Sequence, residues 1–125
     1  MKRNALIEEL LTKGFVEADG SYKRKFSGRD IRLFITSTIF GTITELSMIC
    51  EFENDLEEDL HEEVLEKAES LVNGVYPNLK ITSIGFDFLE AKITGKAKSK
   101  SAEIVIKECA IFAEAIAPIL GKYLL

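Results

Sequence analysis

The residues with the most chemical potential lie in one acidic run, EFENDLEEDLHEE, from Glu51 to Glu63, with eight carboxylates in thirteen positions. Carboxylates at that density suit cation binding, acid-base work by a carboxyl pair, or electrostatic docking of a basic partner. A calcium loop of the EF-hand kind needs oxygens at alternating positions and a glycine at its sixth position for the sharp turn. This run has no glycine, and Leu56 and Leu60 interrupt the oxygens. Acidic residues also stabilise a helix N-terminus through its dipole, by a few tenths of a kcal/mol each and up to about 1. A solvated helix start therefore accounts for much of the charge. Glu57, Glu58 and Asp59 are the candidate contact for a basic partner. His61, the only histidine, sits inside the same run. A catalytic imidazole needs a positioned nucleophile or acid, and the sequence identifies neither. One histidine also cannot complete a two-histidine zinc helix, so His61 reads as a surface residue.

A second chemical stretch is YKRKF, residues 22–26, with Arg29 and Arg32 close by. Aromatics interleaved with cations on a sheet would suit single-stranded nucleic acid. Tyr22 and Phe26, however, share one side of a strand and serve equally as core residues. The formal net charge of −5 also opposes counterion-driven binding to nucleic acid or anionic membranes. Glycines fall at turns, with no GxxxxGK[ST] and no GxGxxG between a strand and a helix, so no cofactor is expected. No metal site is expected either. Cys50 and Cys109 are far apart. Glu8 and Glu9 interrupt what would be the apolar stretch of a signal peptide. The expectation is a cytoplasmic protein with two buried free thiols.

These residues need a scaffold of 125 positions, 46% apolar and 30% charged, which suits one folded α+β domain spanning residues 1–125. Asn4 can cap a first helix whose stripe is Leu6, Ile7, Leu10 and Leu11. Gly14 suits the position after that helix, with Phe15 folding back on Leu10. Asp19-Gly20 and Ser27-Gly28 are turn signals, and residues 21–36 read as a hairpin. After Gly41 comes a longer strand. It places Leu46, Met48, Cys50 and Phe52 on one face, and Ile43, Glu45, Ser47, Ile49, Glu51 and Glu53 on the other. Asn54 or Asp55 is the expected cap of an amphipathic helix that ends near Gly74 and Pro77. LKITSIGFDFLEAKITG gives one or two strands, with a bulge or tight turn at Ser83-Ile84-Gly85. GKAKSKS is a basic loop, and Ser101 caps the last helix. The order is helix, three strands, helix, two strands, helix, with an antiparallel sheet and the helices on one face.

The last helix, from Glu103 onward, carries more apolar surface than one docking face requires. On a wheel of 100° per residue, Val105, Cys109, Phe112, Ile116, Ile119 and Tyr123 lie on the side that packs. Ile104 and Ile111 project into the polar wedge instead, an apolar strip that either touches the 75–80 loop or the first helix, or meets a second subunit or a client. If exposed and then covered, each isoleucine contributes about 1.5–3 kcal/mol. Ile43 and Ile49 are further contact candidates on the outer sheet face. Pro118 removes a backbone donor and should kink or restart the helix. No run here reaches the roughly 20 predominantly apolar residues of a membrane span.

The layout resembles the type III secretion chaperone-like fold, and within it the YbjN-like group. The resemblance rests on LLTKGF closing the first helix, three strands ending in ICEFEND, the break at LVNGVYPNLKI, and a long closing helix. It covers almost the whole chain. It implies a homodimer that holds a partner segment in extended form, with no catalytic residue to carry over. The expectation is thus a non-enzymatic protein-binding module, chaperone-like or regulatory. The alternatives are an acidic inhibitor or immunity-type protein binding a basic enzyme through residues 51–63, and a small carboxylate enzyme.

Overall fold

The computed structural model describes residues 5–95 and 101–124. These residues form α1 (Ala5–Thr12), β1 (Val16–Ala18), β2 (Ser21–Phe26), β3 (Arg29–Ser37), β4 (Ile43–Glu51), α2 (His61–Val72), β5 (Leu79–Ile84), β6 (Phe88–Ile93) and α3 (Ala102–Tyr123). One 3-10 turn, Glu58–Leu60, precedes α2. The strands make a single antiparallel sheet in the order β1-β2-β3-β4-β6-β5. The α+β class and the succession of helices and strand runs are as expected from the sequence. The addition is β1, a three-residue strand hairpinned to β2. Asp19 and Gly20 have φ of 51° and 79°, and Ser27 and Gly28 have 53° and 79°. Two successive left-handed residues make the tight turn whose twist matches the flanking strands, so each pair closes a hairpin.

Alternation places the core. Ile31, Leu33, Leu46, Met48, Leu89 and Ala91 are buried on the side covered by helices. Against them α3 lays Val105, Cys109, Phe112, Ile116 and Ile119, and α2 adds Val64, Ala68 and Val72. At the end of α1, Phe15 is buried and its N–H donates to the Leu10 carbonyl at 3.2 Å. That is the back-folded closure expected there. Ser101 caps α3, its hydroxyl accepting from the Ile104 N–H at 3.5 Å. The cap expected at Asn4 and most of the GKAKSKS loop lie outside the described residues.

Three local expectations are corrected. Ile43 is only 7% exposed and belongs to the core, not the outer face. The register jumps from Thr36↔Glu45 to Ser37↔Ile43, so Thr44 is an extra residue in β4. A bulge shifts the alternation by one position, which turns Ile43 inward. Neither Asn54 nor Asp55 caps α2. Leu56 is instead buried, with its N–H donating to the Phe86 carbonyl at 2.6 Å, and the 3-10 turn intervenes before the helix. Finally, of the kink or restart expected at Pro118, the restart does not occur, and α3 continues through it as one element. Pro118 and Glu114 are both exposed, so water can satisfy the carbonyl that loses its helical donor.

Candidate functional site

With the helices on one side of the sheet, no element among the described residues covers the other side, and the cross-strand rows of this open face can be read from the register. One row runs Lys23, Arg32, Ile49, Glu90 and Ser83 across β2, β3, β4, β6 and β5. The next row holds Phe34, Ser47 and Lys92. Arg32 is the hub of this face. Its Nε donates to Glu51 Oε1 at 3.0 Å, and its Nη1 donates to Ser21 Oγ at 2.8 Å and to the Ala18 carbonyl at 3.2 Å. The Ser21 hydroxyl, fully buried beside Arg32, donates to Ala18 O at 2.9 Å. Lys92 pairs with Glu45 at 3.2 Å. A second bulge, at Thr82 of β5, puts two hydroxyls beside Glu90. Thr82 and Ser83 donate to its Oε1 at 2.7 and 3.2 Å. Phe34 stands out of this polar field, 37% exposed, and Ile49 is half-buried within it.

A different surface occupies one end of the molecule. β3 and β4 run beyond the ends of β2 and β6 as a two-stranded ribbon. Ile39 and Phe40 at its tip are 85% and 89% exposed. The tip is held by its own bonds. Thr38 N–H donates to Thr42 O at 2.8 Å, and Gly41 N–H to Thr38 O at 3.0 Å. Thr38 Oγ1 accepts from the Phe40 and Thr42 amides. The start of α3 lies at the same end. Asn78, just before β5, donates to Glu108 Oε1 at 3.3 Å and accepts from Thr94 N–H, just after β6. The far end of α3 reaches Asn54, whose side chain donates to Leu124 O. Ile104 is therefore on the ribbon's side of the fold, 38% exposed. Ile111, a further two turns along, is half-buried against the core. Of the four isoleucines singled out in the sequence, Ile104 is exposed, Ile111 and Ile49 are half-buried, and Ile43 is internal.

Ile39 and Phe40 were not legible as a site. They fall between two strand-like segments, where alternation assigns no face. The available signal was the pair of large apolar residues directly before Gly41, in a turn that otherwise favours polar side chains.

Glu57, Glu58 and Asp59 are all exposed, and their carboxylates form no ion pair among the described residues. His61 is half-buried rather than on the open surface. Its Nε2 lies 2.9 Å from the Leu56 carbonyl, and its ring meets Phe86 edge-on with centroids 5.0 Å apart. It fastens the acidic loop to the β5–β6 turn. No group of three or more His, Cys, Asp or Glu able to hold a metal occurs among the described residues. Both cysteines are free and buried. Burial pushes the Cys50 thiol up to about 11 and the Cys109 thiol up to about 12. Neither is a ready nucleophile at neutral pH.

Phe26 is buried and carries the Arg24 guanidinium 4.9 Å above its ring, while Tyr22 packs partly against the core. The aromatics of YKRKF are thus structural. A hollow of about 510 Å³ opens beside the β2–β3 turn, with Lys25, Arg29, Arg32, Glu51, Phe52 and Leu124 in its lining. Its charges are largely engaged with one another, through Arg32–Glu51 and through Lys23 and Lys25 on Asp30. His61 is not among the residues that line it. Among the described residues, no helix is long and apolar enough to cross a membrane. The sequence matches no family model, no curated protein and no solved structure.

Proposed function

We propose that this protein is a non-enzymatic, chaperone-like binding module that acts in the cytoplasm as a homodimer and holds a partner polypeptide at its apolar end. The observation that carries the reading is the β3–β4 tip. Ile39 and Phe40 stand almost fully in water on a turn fixed by four hydrogen bonds. Ile104 adds apolar surface at the same end. An apolar projection whose backbone is already shaped by its own hydrogen bonds has less freedom to lose on binding, which favours recognition.

The test is fluorescence anisotropy against a set of labelled unstructured peptides of varied apolar content. The wild-type chain should bind the apolar members, and the I39D/F40D variant should bind at least tenfold more weakly with unchanged melting. A wild-type chain that binds none of them removes the reading.

One observation favours a second reading. The carboxylates of Glu57, Glu58 and Asp59 are exposed and unpaired among the described residues, as an inhibitor of a basic enzyme would need. Strongly salt-dependent binding to a basic protein, lost in E57K/E58K/D59K, would select it over the first.

A further inference from the structure

The open sheet face divides by charge. On β2 and β3 it carries Lys23, Lys25 and Arg32 against Asp30, and on β4, β6 and β5 it carries Glu45, Glu51 and Glu90 against Lys92 and Lys80. One half is therefore net positive and the other net negative, with the boundary between β3 and β4. A surface divided in this way is complementary to itself. A two-fold interface brings the same patch of two subunits together, so that residue i meets j and j meets i. We propose that the open face is a homodimer interface, in which a second copy of this chain packs sheet to sheet about a two-fold axis parallel to the strands and between β3 and β4. The inference rests on the homodimer part of the function proposed above, and gives that dimer its surface.

The register makes the arrangement specific. A two-fold parallel to the strands keeps each cross-strand row at its own level and reverses its order. The row Lys23, Arg32, Ile49, Glu90 then lies over its own reverse. Lys23 faces Glu90 of the second copy, and Arg32 lies over Ile49. In the neighbouring row Phe34, the most exposed aromatic side chain projecting from this face, lies over Ser47, its own cross-strand neighbour and a small buried side chain. A protruding ring thus meets a low point, twice. In the third row Lys25 comes over Phe88, a cation against an aromatic face. An axis perpendicular to the strands would instead set cations on cations. Asp30 and Glu51 approach each other at the rim, but each keeps a cation of its own chain, Lys23 and Lys25 for Asp30 and Arg32 for Glu51. Sheets that pack face to face keep their strands within about 30° and lie about 10 Å apart, which leaves room for these side chains to interdigitate. Four strands about 4.8 Å apart and about 20 Å long give a contact at the small end of specific interfaces.

Charge reversal tests the pairing. Lys23 and Glu90 are separated within one chain by β3 and β4, about 14 Å across the sheet, so any compensation between them must pass through a second copy. In sedimentation velocity of the full chain from 1 to 200 μM, K23E and E90K should each raise the dimer dissociation constant at least tenfold. The combined K23E/E90K variant should return it to within threefold of wild type. F34E should also weaken the dimer tenfold or more, independently of the Glu90 hydrogen bonds. A wild-type dimer indifferent to all four variants overturns the proposal. So does a dimer broken by I111E alone, which would place the contact on α3. A wild-type chain that remains monomeric throughout the range overturns it too. That result leaves peptide holding at the apolar end to stand or fall by its own anisotropy measurement.

Discussion

Arg32 shows how one side chain makes an open sheet face tolerable. Its guanidinium satisfies a carboxylate, a hydroxyl and a main-chain carbonyl at once, and it binds β1, β2 and β4 to β3. Hydrogen bonds from charged donors are stronger than neutral ones. Glu51 is more than half exposed, so its share is screened. Arg32→Ala should therefore lose about 1–2 kcal/mol in urea unfolding, and Arg32→Lys should recover only part of that, because it offers no planar fork. The cysteines give a second residue-scale prediction. Their folded pKa values, about 11 for Cys50 and about 12 for Cys109, lie above the ordinary 9.0. Below pH 9 both thiols are protonated whether the chain is folded or unfolded, and the contribution is constant. Above pH 9 the unfolded chain releases these protons first, so stability falls as pH rises from about 9 towards 11–12. Thermal melts from pH 7 to 11 should show that decline, and C50A/C109A should flatten it. Native protein at pH 8 should also react with a thiol reagent only after denaturant is added.

At the scale of elements, the bulges decide which face a residue serves. Plain alternation puts Ile43 with Ile49, and Thr44 separates them. Ile43→Ala should cost about 2–4 kcal/mol as a core truncation, whereas Ile49→Ala on the open face should cost about 1 kcal/mol or less. A reversed order in chemical denaturation would show that the register around Thr44 is wrong. The bulge at Thr82 acts in the same way, carrying two hydroxyls to Glu90 where alternation would supply one. Such shifts are settled by pairing with a distant strand, so no local pattern reveals them. Elements fixed by local physics were legible: the Gly14 closure with Phe15, the Asp19-Gly20 and Ser27-Gly28 turns, the Ser101 cap, and the inward stripe of α3. Ser101→Ala should cost about 0.5–1 kcal/mol in the same unfolding assay. Glu108 is charged yet buried on α3 because Asn78 reaches it from before β5, a partner that no helical wheel shows. For the same reason the exposed tip at Ile39 and Phe40 was invisible, since its meaning depends on how far the ribbon outruns its neighbours.

The whole molecule therefore has three unlike surfaces: a ribbon end that is apolar, a sheet face that is charged in two halves, and an acidic margin at residues 53–63. A net charge of −5 keeps copies apart at long range and limits indiscriminate sticking. Opposed halves on one face permit a single self-pairing nonetheless. The E57K/E58K/D59K variant moves net charge by six units, from −5 to about +1. Those side chains are exposed, and surface substitutions of this kind usually stay within about 0.5 kcal/mol each. Its melting point should be nearly unchanged while its solubility at neutral pH falls. A large loss of stability would mean that the acidic turn is packed more tightly than its exposure indicates. The sheet margins add a last consequence. One lateral border is a stub of three residues and the other is bent by the Thr82 bulge. Neither offers the long, straight template on which fibrils elongate. Whatever copies gather through the flat side, growth stops at a closed pair, and concentrated solutions should stay clear instead of setting into filaments.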